Sequence, residues 1–174
     1  MLNKKTTFQR AHGKIDVKIK NNEINRFYQS GSAKVFYPKS SQKFKELVLV
    51  NTAGGITSGD NFSYDFEIVN KSKIFLTTQT AERAYKGFNE KAKIKISLTV
   101  DDTSNLFWIP QELILFNNCN FDRNIEVNLS PNSNFVLAET TIFGRTAMGE
   151  YLEKGYFNDN WRINVNKSLF HAEA

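Results

Sequence analysis

The sequence predicts an all-β protein, and three observations carry that prediction. Apolar and polar residues alternate with a period of two through much of the chain, short apolar runs recur between the alternating stretches, and Asn-, Asp- and Ser-rich turn signals punctuate both. Alternation of this kind turns one side of an extended strand toward a core and the other toward water.

The elements follow in order along the chain. Ile15, Val17 and Ile19 alternate with polar neighbours and end at the turn signal Asn21-Asn22. The apolar run Leu47-Val48-Leu49-Val50 leads into a glycine-rich loop over residues 51–60. Phe62, Tyr64, Phe66 and Ile68 form the next alternation, closed by Asn70-Lys71, and a short run over residues 74–76 follows. Residues 81–86, stopped by Gly87, are the helix candidate, and a helix of one or two turns does not stand without tertiary support. Ile94, Ile96, Leu98 and Val100 give the clearest alternation, ended by Asp101-Asp102. Apolar runs over 113–116 and 135–138 flank the alternation Ile125, Val127, Leu129 and the turn signal Ser130-Pro131-Asn132-Ser133. A last turn signal, Asn158-Asp159-Asn160, precedes Trp161, Ile163 and Val165, and the final strand over residues 160–173 shows no turn or cap.

Alternating strands with one wet face read as mostly antiparallel, and the continuous runs read as strands buried on both faces. Many short strands in series stack as a sandwich, a barrel or an irregular β-helix, and periodicity does not separate these. No linker, low-complexity tract or sequence repeat is visible. At 174 residues the chain fits one domain, residues 1–174, with enough apolar sequence for a continuous core.

Composition narrows the function classes. The start, Met1-Leu2-Asn3-Lys4-Lys5, lacks the apolar stretch of a signal peptide, and no apolar run approaches the roughly 18 residues of a membrane span. A cytoplasmic location is the default expectation, with no membrane partner. Cys119 is the single cysteine, which excludes an internal disulfide and a thiolate metal cage. Its polar turn, Asn117-Asn118-Cys119-Asn120, reads as placing an incidental thiol at the surface. A net charge of +5 raises the question of nucleic acid, but the lysines are scattered singly along alternating segments and arginines are few. They read as a solvated face, and the positive charge favours an acidic protein partner.

No catalytic constellation is assembled in the sequence. The spacing from Gly54 to Gly59 mimics a phosphate-binding loop, but Asp60 stands where the phosphate-neutralising lysine belongs. A carboxylate there repels a nucleotide and attracts a cation. Ser58 misses the nucleophile-elbow spacing by one position, and His12 and His171 lie at opposite ends of the chain. Nickel and similar ions favour imidazole and thiolate, which are scarce here, so tight metal binding is not expected. The loop carboxylates Asp60, Glu112, Glu139 and Glu150 offer at most transient oxygen ligands. The alternative for each is an ordinary strand-end carboxylate.

Four segments bring a known family into view. They are Gly54-Gly55-Ile56-Thr57-Ser58-Gly59-Asp60; Thr77-Thr78-Gln79-Thr80-Ala81-Glu82-Arg83-Ala84-Tyr85; Trp108-Ile109-Pro110-Gln111-Glu112-Leu113-Ile114-Leu115-Phe116; and Gly144-Arg145-Thr146-Ala147-Met148-Gly149-Glu150. In this order and spacing they resemble the patterns G-G-x-x-x-G-D, T-T-x-x-A-x-[KR]-x-Y, W-x-P-Q-E-x-I-x-F and G-R-x-A-x-G-E of the UreD (UreH) urease accessory proteins. The glycines at 54, 55, 59, 144 and 149 are read as positions of positive φ or close backbone approach, and Pro110 as a break in a ladder.

The resemblance implies a β-helix-like arrangement of stacked sheets and a non-enzymatic role. It implies a scaffold that docks on urease apoprotein and on a UreF-type protein, which recruits a UreG-type GTPase, while nickel passes transiently with no tightly bound cofactor. Asp60 and Glu150, with Glu112 and Glu139 behind them, are the candidates for cation passage. Arg83, Tyr85, Gln111 and Arg145 are the candidates for structural networks or partner contact. The competing reading is a β-solenoid or sandwich module that binds carbohydrate through Tyr28, Tyr37 and Trp161. Family members continue past the point where this chain stops, so the expectation is a domain lacking the family's C-terminal part, with an open sheet edge that invites pairing.

Overall fold

The computed structural model describes residues 9–39, 41–88 and 90–174. The first five residues, read above for the lack of a leader, lie outside them. A seven-stranded sheet holds β1 (His12–Lys20), β2 (Glu23–Gly31), β5 (Asn61–Val69), β8 (Ala92–Val100), β11 (Asn120–Leu129), β14 (Tyr156–Val165) and β15 (Ser168–Glu173). A five-stranded sheet holds β3 (Ala33–Phe36), β4 (Lys45–Asn51), β6 (Lys73–Thr78), β9 (Asn105–Trp108) and β12 (Asn134–Leu137). A three-stranded sheet holds β7 (Glu82–Ala84), β10 (Leu113–Leu115) and β13 (Thr141–Phe143). The one helical element among the described residues is a 3-10 turn, Thr146–Met148.

The chain visits the three sheets in rotation. β5, β6 and β7 make one coil, β8, β9 and β10 the next, and β11, β12 and β13 a third, each stacked in parallel on the one before. The stacked-sheet, β-helix-like architecture read from the resemblance is the observed one. Coils without sequence repetition still superimpose their side chains. Ile15, Tyr64, Ile96, Ile125 and Trp161 lie side by side along one interior row, and Val17, Phe66, Leu98, Val127 and Ile163 along the next. Ile15, Val17, Phe66 and Leu98 are fully buried there. Burying each such side chain stabilises the fold by about 1.5–3 kcal/mol.

Several expectations are corrected. Most pairings are parallel; the antiparallel ones among the named strands are β1 with β2, β3 with β4 and β14 with β15. Parallel strands usually have both faces covered, but here the return path is made of further strands, which leaves the polar side of the seven-stranded sheet in water. Residues 81–86 form no helix. β7 lies between the bridge partner Ile56 and β10, which supply backbone hydrogen bonds that a one-turn helix lacks. Asn158-Asp159-Asn160 is not a turn but the middle of β14, where Asn158 and Asn160 donate amide hydrogens to Asp122 and Asn124 on the parallel neighbour. The final turn is instead Asn166-Lys167, both at positive φ, which folds β15 back on β14. The continuous apolar runs are buried on one face only: Val48, Phe75 and Ile114 are half-buried between buried neighbours, and in β12 no residue is fully buried. Cys119 is buried rather than superficial, at 2% exposure, and burial pushes its thiol pKa up.

Candidate functional site

The interior is mostly apolar, and its buried charged side chains gather at one end of the coils. The row that begins Gly13, Phe62, Ile94 continues with Arg123 and then Asp159. Arg123 is 7% exposed. Its guanidinium grips Asp159 with two bonds, Nε to Oδ1 at 2.8 Å and Nη2 to Oδ2 at 2.5 Å. Nη2 also lies 2.5 Å from Glu139 Oε2, an ion pair without an aligned hydrogen bond. Trp108 Nε1 donates to the other oxygen of Glu139 at 2.6 Å. Burial alone lowers a guanidinium pKa, but the two carboxylates more than offset it and raise that of Arg123.

This network walls a cavity of about 50 Å³, also lined by Gln111, Leu113 and Phe121. A second cavity, of about 30 Å³, lies against the glycine-rich loop at Asn51, Gly54 and Gly55. Leu49, Tyr64, Thr78 and Glu82 line both. Each volume exceeds the roughly 15 Å³ that one water requires. Glu82 therefore stands where the two spaces meet. Asn51 Nδ2 reaches its oxygens at 3.1 and 3.3 Å, and the Arg83 backbone N–H donates at 3.1 Å. Burial raises the Glu82 pKa, partly countered by those hydrogen bonds. Burial, reinforced by the charge of Glu82, also raises that of the Tyr64 phenol.

The four matched segments build this end of the molecule. Gly55 has φ +146°, and a Cβ there would lie 2.4 Å from the Tyr85 ring and 2.8 Å from the Arg83 carbonyl. That close approach lets Ile56 N–H donate to Arg83 O and Tyr85 N–H donate to Ile56 O, so the loop lies flat on β7. The other glycines read as positive-φ positions, at 54, 59, 144 and 149, have φ values of 73° to 79°. Pro110 falls between β9 and β10, where the ladder is interrupted.

The nominated residues are placed as follows. Asp60 is 4% exposed, and its oxygens accept the Ala11 and Thr57 backbone N–H groups, each at 2.8 Å, which closes the glycine loop on itself. Glu150 accepts from Asn117 N–H at 3.1 Å and from Arg145 Nε at 2.6 Å, and these partners lower its pKa. Arg145 lies over the Phe116 ring, which meets Tyr85 edge-on. Glu139 belongs to the buried network. Glu112 is half-buried before β10, its carbonyl accepting from Glu82 N–H at 2.9 Å, and Gln111 N–H donates to Thr78 Oγ1 at 3.0 Å.

Among the described residues no three His, Cys, Asp or Glu side chains converge as a metal cluster. The carboxylates that border the cavities are Glu82 and Glu139; Glu82 makes no direct ion pair among the described residues, and the charge of Arg83 acts on it. Tyr28 is exposed on the outermost strand β2, Tyr37 donates its hydroxyl to Asn22 O, and Trp161 sits in an interior row, so the structure does not bring the three rings into one platform. The sequence reading missed Glu82, Arg123 and Asp159. Arg123 had a legible signal, an arginine on the inward phase of Phe121, Ile125 and Val127; Glu82 was obscured by the expectation of a helix.

Comparison with known proteins gives a consistent result. The family model described as UreD urease accessory protein matches residues 10–174. A protein named urease accessory protein UreD from Rhodopseudomonas palustris (strain BisB5) is 41% identical over 149 residues, covering 86% of this chain and 53% of the relative. A protein of the same name from Chelativorans sp. (strain BNC1) is 37% identical over 169 residues, covering 95% of this chain and 61% of the relative. The chain thus spans between about half and three fifths of the length of these curated relatives. No helix among the described residues is long and apolar enough to cross a membrane.

Proposed function

Because this chain belongs to the UreD family of urease accessory proteins, we propose that it serves urease maturation as a non-catalytic scaffold and nickel conduit. It docks on urease apoprotein and on a UreF-type protein, through which a UreG-type GTPase is recruited. Nickel then moves through the interior of the solenoid toward the urease active site. The observation that carries this reading is the pair of adjoining cavities that share Glu82 at the end of the stack where charged side chains are buried. A carboxylate in no direct ion pair can attract a divalent ion, and oxygen ligands hold nickel less firmly than imidazole or thiolate. Weak holding suits passage.

In this reading Glu82 and Glu139 are the carboxylates along the path, and Glu112 stands between Gln111 and Leu113, which line it. Asp60 and Glu150, nominated for passage from the sequence, keep the flanking loops in place through the bonds described above, and contribute to passage only if those bonds open. Arg83, Tyr85, Gln111 and Arg145 shape the two mouths and the partner surface. The test is nickel-dependent activation of urease apoprotein reconstituted with the UreF- and UreG-type proteins and either this chain or its Glu82→Gln variant. The variant keeps volume and removes charge, so activation slows while assembly of the complex is unchanged. Equal activation by both forms would take Glu82 out of the path.

A further inference from the structure

The solenoid has two broad outer faces of opposite character. That of the seven-stranded sheet carries Lys14, Asp65, Lys95, Asn124 and Arg162. That of the five-stranded sheet carries an apolar stripe. Phe36 lies beside Val48, and Phe75, Phe107 and Val136 form an unbroken row across β6, β9 and β12. Phe36 is 60% and Val136 43% exposed, and the residues between them are half-buried. Phe44, from the connection before β4, packs edge-on against Phe107 at 5.0 Å and extends the stripe.

Parallel sheets with an apolar face are ordinarily covered by helices, whose apolar stripes pack across the strands. The charge around this stripe defines the helix further. Lys34 and Lys73 lie on the same face, Lys39 and Lys43 lie in the connection that carries Phe44, and Glu46 is the one acidic side chain on the face among the described residues. The lysines would oppose one another if two copies met through this face, and they are matched by acidic side chains on a partner. On the scaffold reading above, we propose that the outer face of the five-stranded sheet docks an amphipathic α-helix of a partner protein, with acidic residues flanking the helix's apolar stripe.

Single cysteines placed at Phe36, at Val136 and, as a control on the opposite face, at Lys95 test this by maleimide labelling, since buried Cys119 contributes little background. Adding the UreF-type accessory protein should slow labelling at positions 36 and 136 about tenfold and leave position 95 unchanged. The double variant Phe36→Asp with Val136→Asp, both at exposed positions, should keep the circular dichroism of the chain and weaken capture about tenfold, the loss of one strong contact. Capture with labelling unchanged at 36 and 136 overturns the inference and leaves the scaffold reading standing. Failure to capture removes that reading and this inference with it. Protection that appears with rising chain concentration alone, with anionic vesicles, or in a family-length relative before any partner is added assigns the face to another occupant and equally overturns it.

Discussion

At one margin of the seven-stranded sheet β1 and β2 turn through Asn21 and Asn22; at the other β14 and β15 turn through Asn166 and Lys167. All four turn residues have positive φ, and each hairpin carries a bulge, between Lys18 and Ile19 in one and Ile163 and Asn164 in the other. Their burial differs sharply. Ile15, Val17 and Ile19 of β1 are fully buried, whereas Phe157, Trp161 and Ile163 of β14 are partly exposed, and all of β15 is exposed. The same alternation therefore gives a core strand where β3 and β4 stand behind it and a half-wet strand where only β12, with no fully buried residue, remains. In a solenoid, burial is set by the neighbouring coils more than by the strand's own hydrophobicity.

The largest expected effect lies in the charged pair that ties β11 to β14, on the side of the half-wet margin. Arg123→Met should destabilise the protein by about 3–5 kcal/mol, because it leaves Glu139 and Asp159 buried without their cation. Adding Glu139→Gln and Asp159→Asn should recover much of that loss. Urea titration of the single and triple variants measures both, and equal stability of the single variant and the parent would mean that the network is solvated after all.

Next in size is the direct comparison of margins. Ile15→Ala should cost about 2–5 kcal/mol and Ile163→Ala less, since an incompletely buried side chain has less packing to lose. Equal costs in thermal or urea unfolding would break the contrast between the two margins.

Glu82 sharpens the comparison through pH. Its folded pKa is raised above the ordinary 4.5, so the folded state binds the proton more tightly than the unfolded state does. Its contribution to stability is then fully present below pH 4.5 and declines as pH rises through the raised folded pKa. Glu82→Gln should remove that decline. Parallel pH profiles for parent and variant would contradict the assignment.

The smallest effect belongs to the outer face. Asn160 Nδ2 donates to Asn124 Oδ1 at 3.3 Å on an exposed ladder, and Asn160→Ala should cost no more than about 1 kcal/mol. A larger loss by urea titration would show that the margin at β14 depends on its polar ladder rather than on its thin apolar side.

Much of the fold is legible in the alternation. The phase of Ile15, Phe62 and Ile94 marks the inward faces of three strands from the sequence alone, and the glycine loop reads as a close-packed turn, as it is. Strand direction is not legible, because a strand with one wet face looks the same in a hairpin and in a coil whose outer side is solvated. Asn158 to Asn160 look like a turn because asparagine favours turns, yet both asparagine side chains find partners on a parallel neighbour. The candidate site is visible in the sequence as motifs but not as a cavity. Glu82 and Asn51 are far apart in sequence and meet only when β4 and β7 are wrapped onto successive coils.

The two bulged hairpins have a consequence for how copies of this protein meet. A parallel stack of coils has no intrinsic stopping point, and two bare margins of the same sheet could join end to end and grow into a fibre. Here each margin is an antiparallel strand whose register breaks within the ladder, so the edge offered to a second molecule is neither parallel nor evenly spaced. Pairing of copies through these two edges of the seven-stranded sheet is thereby disfavoured.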